Sequence, residues 1–157
     1  LHQLRNFAGL MAVLSGLGQS ATSRLKHTRS SISSASEKAL KKMESVMNPQ
    51  KSYAVYRGTL SENAQAVPYM GVYLQDLTFI EDGNPTLIDG LFNMERLHLV
   101  YQVVKKVVIH QVPNWNLMVL EPINTLLIDL PHTSEKFLYD ISLLREPRGE
   151  NDIKMIV

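Results

Sequence analysis

The stretch Val67-Pro-Tyr-Met-Gly-Val-Tyr-Leu-Gln-Asp-Leu-Thr-Phe-Ile-Glu-Asp-Gly-Asn-Pro85 decides how the chain is interpreted. We expect Pro68 to open a helix, because proline is tolerated at a first helical position. We expect Gly83 to end it in a left-handed conformation. Between them, apolar residues recur three and four positions apart, the period of a helix with one buried face. These residues are Met70, Tyr73, Leu74, Leu77 and Ile80.

Similar periodicity on both sides of this stretch predicts further helices. They cover Leu4–Leu17, a segment from the Ser34–Glu37 capping box to Asn48-Pro49, Asn93–Gln111, Ile123–Leu130 and Ser134–Arg145. The Gly18–Ser36 segment is polar and predicts a loop or a short helical end followed by a linker. Asn93–Gln111 is rich in β-branched residues, yet at about nineteen residues it is long for a strand. The sequence therefore predicts an all-α fold.

The periodicity also predicts which side chains share a helix face. On Asn93–Gln111 the apolar residues of one side are Leu97, Val100, Tyr101, Val104 and Val108. On Ser134–Arg145 the residues expected to face the core are Phe137, Leu138, Ile141 and Leu144.

Composition restricts the classes of protein that are possible. The chain has 157 residues, 45% of them hydrophobic and 20% charged, which is typical of one globular domain. Its net charge of +1 gives no electrostatic sign of nucleic-acid binding. The lack of cysteine excludes disulfides, thiolate zinc sites and a cysteine nucleophile. No apolar run is long enough to span a membrane. The apolar pattern is already under way at Leu1, which suggests a piece of a longer chain.

Two patterns suggest chemistry, and each has a simpler explanation. The string Gly16-Leu-Gly18-Gln-Ser-Ala21 matches a dinucleotide-binding fingerprint, but that motif needs a strand before it and an apolar helix after it. The acids Asp76, Glu81 and Asp82 are a candidate for acid–base chemistry, although such runs are usually solvated helix ends. The five histidines lack ligand spacing. We therefore expect no cofactor and no metal site.

Helical phase also predicts a contact surface. Met11, Ser15 and Gly18 lie four and three positions apart, on a face different from the apolar stripe of their helix. In the later helix, Gly71, Gln75, Thr78 and Asp82 share a face, with Asp76 and Phe79 beside it. An aromatic side chain outside the core stripe, next to acids and small residues, is typical of a surface that binds a partner.

The Val67–Pro85 stretch closely resembles the signature of the catalytic domain of Ras-family guanine-nucleotide exchange factors, the RasGEF family. Three further blocks resemble the family in the same order. They are Asn6–Leu17 with Ser23–Lys26, then Tyr53 with Tyr56-Arg57, and finally Leu138–Arg148. The resemblance implies that residues 1–148 are the C-terminal portion of such a domain, without the family's N-terminal helices, and that 149–157 are a C-terminal tail.

What the resemblance implies is an all-helical domain with a protruding helical hairpin at about residues 67–111. The first hairpin helix is Val67 to about Ile80, the tip Glu81–Leu91 and the second helix Asn93–Gln111. In the family this hairpin wedges into a small GTPase near switch I and disturbs the phosphate and Mg²⁺ sites. GDP then leaves and GTP replaces it, without covalent chemistry. The implied partner is a Ras, Rap or Ral type GTPase, and the implied location is cytoplasmic, with membrane recruitment left to regions outside this chain.

The resemblance also assigns residues to roles. Thr78, Phe79 and Asp82 match positions that act on the nucleotide and Mg²⁺ region. The positions that match GTPase-binding residues are Met11, Ser15, Gly18, Tyr53, Tyr69, Gln75 and Asp76. Three departures leave open a catalytically inactive interaction scaffold. Gly18 stands where the family usually has Asn, the basic run after Asn93 is reduced to Arg96 and His98, and Ile109–Trp115 is altered.

Overall fold

A computed structural model describes residues 1–60, 65–111 and 115–149 of the chain. The fold is all-α apart from one small antiparallel sheet, in agreement with the sequence prediction. The elements, in chain order, are α1 (Phe7–Gly18), α2 (Ser20–Ser23), α3 (Lys26–Ser30), α4 (Ser34–Val46), α5 (Gln50–Thr59), α6 (Met70–Gly83), β1 (Leu87–Ile88), β2 (Leu91–Phe92), α7 (Met94–Val108), α8 (Glu121–Ile128) and α9 (Glu135–Arg145).

The chain forms two compact units. The first comprises Leu1–Val13 and Leu40–Asn114, and the second comprises Leu14–Ala39 and Trp115–Val157. The first unit thus contains the start of α1 and the elements from α5 to α7, and the second contains α2, α3, α8 and α9. The tail predicted for 149–157 lies, from residue 150 onward, outside the described residues.

The core of the first unit is built on three fully buried side chains, Phe7, Tyr56 and Val72. The rings of Phe7 and Tyr56 pack edge to face with their centroids 5.0 Å apart, a favoured aromatic geometry. Helices α6 and α7 pack against each other as a hairpin, and each contributes to the core, with Tyr73 from α6 and Val103 from α7. The hairpin is therefore rooted in the same core as α1 and α5.

A backbone pairing places the start of α6 later in the sequence than predicted. Val67 donates from its N–H to the carbonyl of Arg5 at 3.0 Å and accepts from the N–H of Phe7 at 2.9 Å. This pairing holds Val67 and Pro68 outside the helix, which begins at Met70. The predicted helical start at Pro68 was therefore two residues early, because a tertiary backbone pairing overrides a local preference.

The end of α6 also differs from the prediction. Gly83 is the last helical residue, and its φ is not positive. The side-chain amide of Asn84 instead donates to the carbonyl of Ile80 at 2.9 Å, satisfying a carbonyl at the helix end. The positive-φ glycine is Gly90, which forms a two-residue turn with Asp89 between β1 and β2. Left-handed conformations at both positions are typical of a tight hairpin turn.

The second unit is organised around Arg24 and Glu146. Helix α2 packs against α9, and the guanidinium of Arg24 donates to the carbonyls of Ser142 and Glu146. The carboxylate of Glu146 accepts hydrogen bonds from the backbone N–H groups of His27 and Thr28, at 3.1 and 2.7 Å. The segment after α9 is thereby fastened to the beginning of α3.

Several local predictions are corrected by the structure. The Gly18–Ser36 segment contains two short helices, α2 and α3, within the predicted loop. The serine that caps α4 is Ser33, whose hydroxyl accepts from the N–H of Ser36 at 3.1 Å, one position earlier than predicted. Helix α5 and the β1–β2 pair were not predicted, because both are short and lack a long apolar repeat. In contrast, the helices predicted to start at Asn93 and Ser134 do start there, and these two residues cap α7 and α9.

The predicted inward faces of α7 and α9 are largely exposed. On α9, Phe137, Ile141 and Leu144 are exposed, whereas Ser142 is buried beside Arg24. On α7 the buried residue is Val103, and most of the predicted apolar side is exposed. These exposed residues are Leu97, Tyr101, Val104 and Val108. Periodicity identifies an apolar stripe, but it does not determine whether the chain itself covers that stripe.

Across the described residues, none of the helices combines the length and apolar character that crossing a membrane requires.

Candidate functional site

Helix α6 presents a row of exposed side chains on one face. Gln75, Thr78, Phe79 and Asp82 are spaced three and four residues apart and are all exposed. Phe79 is 60% exposed, which is unusual for an aromatic side chain inside a helix. The hydroxyl of Thr78 donates to the carbonyl of Leu74 at 3.1 Å, which fixes its rotamer. We call these four residues the α6 ridge.

Below the α6 ridge, an ion pair attaches α6 to α5. The two terminal nitrogens of Arg57 donate to the two carboxylate oxygens of Asp76 at 2.8 and 2.7 Å. This paired geometry is the strongest form of an arginine–carboxylate contact. The hydrogen bond to Asp76 raises the pKa of Arg57, against the opposing effect of partial burial. Both oxygens of the Asp76 carboxylate are thus engaged within the first unit.

A buried tyrosine holds the first turn of α6. The hydroxyl of Tyr56 accepts from the N–H of Tyr69, the residue that caps α6, at 3.0 Å. Burial raises the pKa of Tyr56, and its hydrogen bonds to the backbone of Tyr69 and to Tyr73 oppose that rise. Burial, together with the proximity of Tyr56, raises the pKa of Tyr73 as well. Both phenols therefore stay protonated and hydrogen-bonded near neutral pH.

Two of the predicted binding residues meet at this end of α6. The rings of Tyr53 and Tyr69 lie 6.0 Å apart between centroids, and both are partly exposed. Burial, followed by the influence of Tyr69, raises the pKa of Tyr53. Gly71 makes room for this arrangement, since a Cβ at that position would lie 2.5 Å from the ring of Tyr69. The tyrosine pair therefore depends on a glycine.

The backbone leading to Tyr53 has an unusual conformation. Lys51, Ser52 and Tyr53 have φ values of 52, 54 and 59°, in the left-handed region, although none is glycine. The carbonyl of Ser52 accepts from the Nε of Arg57 at 2.6 Å. This bond links the left-handed turn to the same arginine that holds Asp76.

The tip of the hairpin is secured by Asn93. Its backbone N–H donates to the carbonyl of Thr86, and its side-chain amide donates to the carbonyl of Pro85, both at 3.0 Å. Its side-chain oxygen also accepts from the N–H of Arg96 and so caps α7. One nearly buried asparagine thus fixes the end of α6, the tip and the start of α7 relative to one another.

The predicted residues of α1 fall in two places. Met11 is partly exposed and belongs to the first unit. Ser15 and Gly18 are exposed and belong to the second unit. The structure therefore brings together the α6 residues and, separately, Tyr53 with Tyr69. Tyr56 and Arg57, which position these groups, entered the sequence analysis only as part of a resembling block and were assigned no role there. The signal for Arg57 was an acid on the next helix, Asp76, which is one of three acids in that helix.

The alternative chemistries find no support in the geometry. Gly16 and Gly18 lie inside α1, so the fingerprint string does not form the turn between a strand and a helix that binds a pyrophosphate. Asp76 is paired with Arg57, and Glu81 lies 3.6 Å from Arg96. The part of the chain that the structure describes contains no group of three or more His, Asp or Glu side chains able to hold a metal ion.

Comparison with known proteins gives a consistent result. The RasGEF domain family matches residues 1–98. Ras guanine nucleotide exchange factor R of Dictyostelium discoideum is 40% identical over 152 residues, which cover 96% of this chain and 9% of that protein. Exchange factor K of the same organism is also 40% identical over 152 residues, covering 95% of this chain and 10% of the relative. Exchange factor B is 34% identical over 162 residues, covering 99% of this chain and 11% of the relative. The chain thus spans about a tenth of the length of these relatives.

Proposed function

The chain belongs to the RasGEF family, and from this membership we propose that it binds a Ras-superfamily small GTPase and promotes GDP release and GTP loading. Residues 1–148 act in this proposal as the C-terminal portion of a RasGEF catalytic domain. The proposed partner is a Ras, Rap or Ral type GTPase in the cytoplasm. The observation that carries the proposal is the exposed α6 ridge, which stands on a helix anchored at its base.

In the proposed mechanism the α6–α7 hairpin enters the GTPase near switch I. Phe79 occupies space beside the nucleotide, Thr78 approaches the Mg²⁺ region, and the carboxylate of Asp82 competes with phosphate for cationic groups. These actions suit their residue types, since bulk and like charge oppose a bound nucleotide directly. Exchange factor and nucleotide weaken each other's binding by the same factor. Each tenfold loosening requires about 1.4 kcal/mol of differential binding.

The remaining predicted residues are proposed to hold the GTPase. Gln75 and the Tyr53–Tyr69 pair supply contacts next to the ridge, and Met11, Ser15 and Gly18 supply a surface for switch II. Because Arg57 engages both carboxylate oxygens of Asp76, Asp76 meets the partner in this proposal as half of an ion pair. Its main contribution is to fix the rotation of α6.

The decisive experiment measures release of a fluorescent GDP analogue from a panel of Ras, Rap and Ral proteins. We expect the chain to accelerate release from one member of the panel and Phe79→Ala to reduce that acceleration by roughly tenfold or more, as truncation of an aromatic contact residue does. Phe137→Ala on α9, which removes an aromatic of similar exposure, is the matched control and should change nothing. Binding of nucleotide-free GTPase without accelerated release would favour the inactive scaffold.

A further inference from the structure

A cavity of about 170 Å³ lies within the first unit, at the base of the hairpin and away from the α6 ridge. Its walls are Arg57 of α5, Leu60, Tyr73 of α6, Lys106 of α7 and His110. Three of these five residues carry basic side chains, and none of the described residues that line the cavity is acidic. Such a lining favours an anionic ligand.

The charges in this cavity are unequally compensated. Arg57 is neutralised by Asp76, and three of its five N–H groups are used in bonds to Asp76 and to the carbonyl of Ser52. Two N–H groups therefore remain. The ammonium of Lys106 has no hydrogen-bond or ion-pair partner among the described residues, and a lysine offers three donors. Within the part of the chain that the structure describes, the cavity thus combines an unpaired positive charge with spare donors.

Stabilisation of the helix end by positive charge does not explain why Lys106 in particular lines the cavity. Lys105 and Lys106 both lie in the last turn of α7, where positive charge interacts favourably with the helix dipole. The dipole accounts equally for both lysines. Only Lys106, however, lines the cavity.

We propose that this cavity binds a phosphate group, with Lys106 as its principal ligand and Arg57 as a second donor. A volume of 170 Å³ holds a tetrahedral oxyanion and a few waters, given that one water occupies about 30 Å³ in the liquid. Tyr73 and Leu60 supply the less polar part of the wall. The bound group bridges α5 and α7 and therefore stiffens the base of the hairpin.

The test uses inorganic phosphate alone, without any GTPase, so its outcome is independent of exchange activity. Phosphate should raise the unfolding midpoint of the full chain, because a ligand that binds only the folded state stabilises it. Titration calorimetry then gives the affinity. We expect Lys106→Ala to weaken phosphate binding by about tenfold, as the loss of a charge-assisted hydrogen bond implies. Lys105→Ala, the matched control, should bind within about twofold of the original chain, because surface charges contribute little.

Two results overturn the proposal: no effect of millimolar phosphate on the original chain, or equal weakening by Lys105→Ala and Lys106→Ala. Lys106→Gln, checked by circular dichroism for intact helices, guards against a folding defect in the alanine variant. Vesicles of phosphatidylcholine with and without a phosphoinositide distinguish the source of the phosphate. Lys106-dependent binding only to the phosphoinositide vesicles identifies a lipid headgroup, and binding of free phosphate alone identifies a soluble ligand.

Discussion

Arg57 and Asp76 form a two-point ion pair between α5 and α6, with nitrogen–oxygen distances of 2.8 and 2.7 Å. Their side chains are 31% and 25% exposed, so solvent screens the pair only in part. Because Arg57 also bonds the carbonyl of Ser52, one guanidinium joins the left-handed turn, helix α5 and helix α6. The orientation of the α6 ridge depends on this junction.

We expect Arg57→Gln to lower the free energy of unfolding by about 1–3 kcal/mol, because it leaves a partly buried carboxylate without its partner. The double variant Arg57→Gln/Asp76→Asn should lose less than the sum of the single changes, since each single change removes the same contact. Urea unfolding measures this cycle. Glu81→Gln, which affects a 3.6 Å pair whose carboxylate is 75% exposed, is the control and should change stability by less than about 0.5 kcal/mol. Additive effects of the two single changes would show that the pair contributes nothing.

We expect the packing of Tyr53 against Tyr69 to require glycine at position 71. In Gly71→Ala the new Cβ meets the end of the Tyr69 ring at 2.5 Å, so the ring must rotate away from Tyr53. The helix itself should tolerate alanine, which has the higher helix propensity. Near-ultraviolet circular dichroism should therefore change while far-ultraviolet helicity does not. Gly83→Ala, where a Cβ meets no neighbour, is the control, and an unchanged tyrosine spectrum in Gly71→Ala would contradict the expectation.

The left-handed turn predicts opposite signs for two glycine substitutions in α5. A left-handed conformation costs a non-glycine residue about 1–2 kcal/mol. Ser52→Gly relieves this strain and keeps the carbonyl that Arg57 uses, so we expect stability to rise by up to about 1 kcal/mol after the entropy cost of glycine. Ala54→Gly lies beyond the left-handed residues of α5 and should lower stability by about 1 kcal/mol. Thermal unfolding distinguishes the two, and a loss of stability in both variants would argue against the turn.

Local signals in the sequence were sufficient for most helices and for part of the candidate site. The start of α7 at Asn93, the start of α9 at Ser134 and the stop before Pro49 each depend on residues within one turn of the helix end, so the sequence reveals them directly. The placement of Gln75, Thr78, Phe79 and Asp82 on one exposed face likewise follows from helical period alone.

Local sequence signals could not predict the tertiary pairings. The start of α6 is set by backbone bonds between Val67 and residues sixty positions earlier along the chain, and no local pattern encodes them. The role of Arg57 depends on which acid it meets, and several acids were available. The burial of Ser142 rather than its apolar neighbours follows from the position of Arg24. Helical periodicity predicts which side chains share a face, whereas contacts between residues far apart in the sequence become visible only in the folded structure.

The hydrogen bonds to the Glu146 carboxylate predict that the folded chain loses stability at acidic pH. Although desolvation raises the pKa of this carboxyl, hydrogen bonds from Thr28 and His27 outweigh it and lower the pKa below its ordinary value. A group whose pKa is lowered by folding stabilises the fold above its ordinary pKa, and that contribution disappears as pH falls through the folded-state value. Glu146→Gln should therefore be less stable than the original chain near neutral pH and converge with it in acid. Asp129 makes no side-chain hydrogen bond to any described residue, so Asp129→Asn is the control and should show no such convergence in unfolding midpoints measured across pH.

Gly18 provides the sharpest test of the proposed switch II surface. The family resemblance of the sequence implies asparagine at this position, and the structure leaves space for one, since a Cβ at Gly18 meets no atom within 4 Å. Gly18→Asn adds an amide at the exposed end of α1 without strain. If this surface binds switch II, one added hydrogen bond should raise the rate of GDP release by about twofold to tenfold. Gly16→Asn has equal space but lies about 200° around the helix, because successive residues are about 100° apart. A gain confined to Gly18→Asn would place position 18 in the interface with the GTPase, whereas identical rates for both variants and the original chain would remove this end of α1 from the interface.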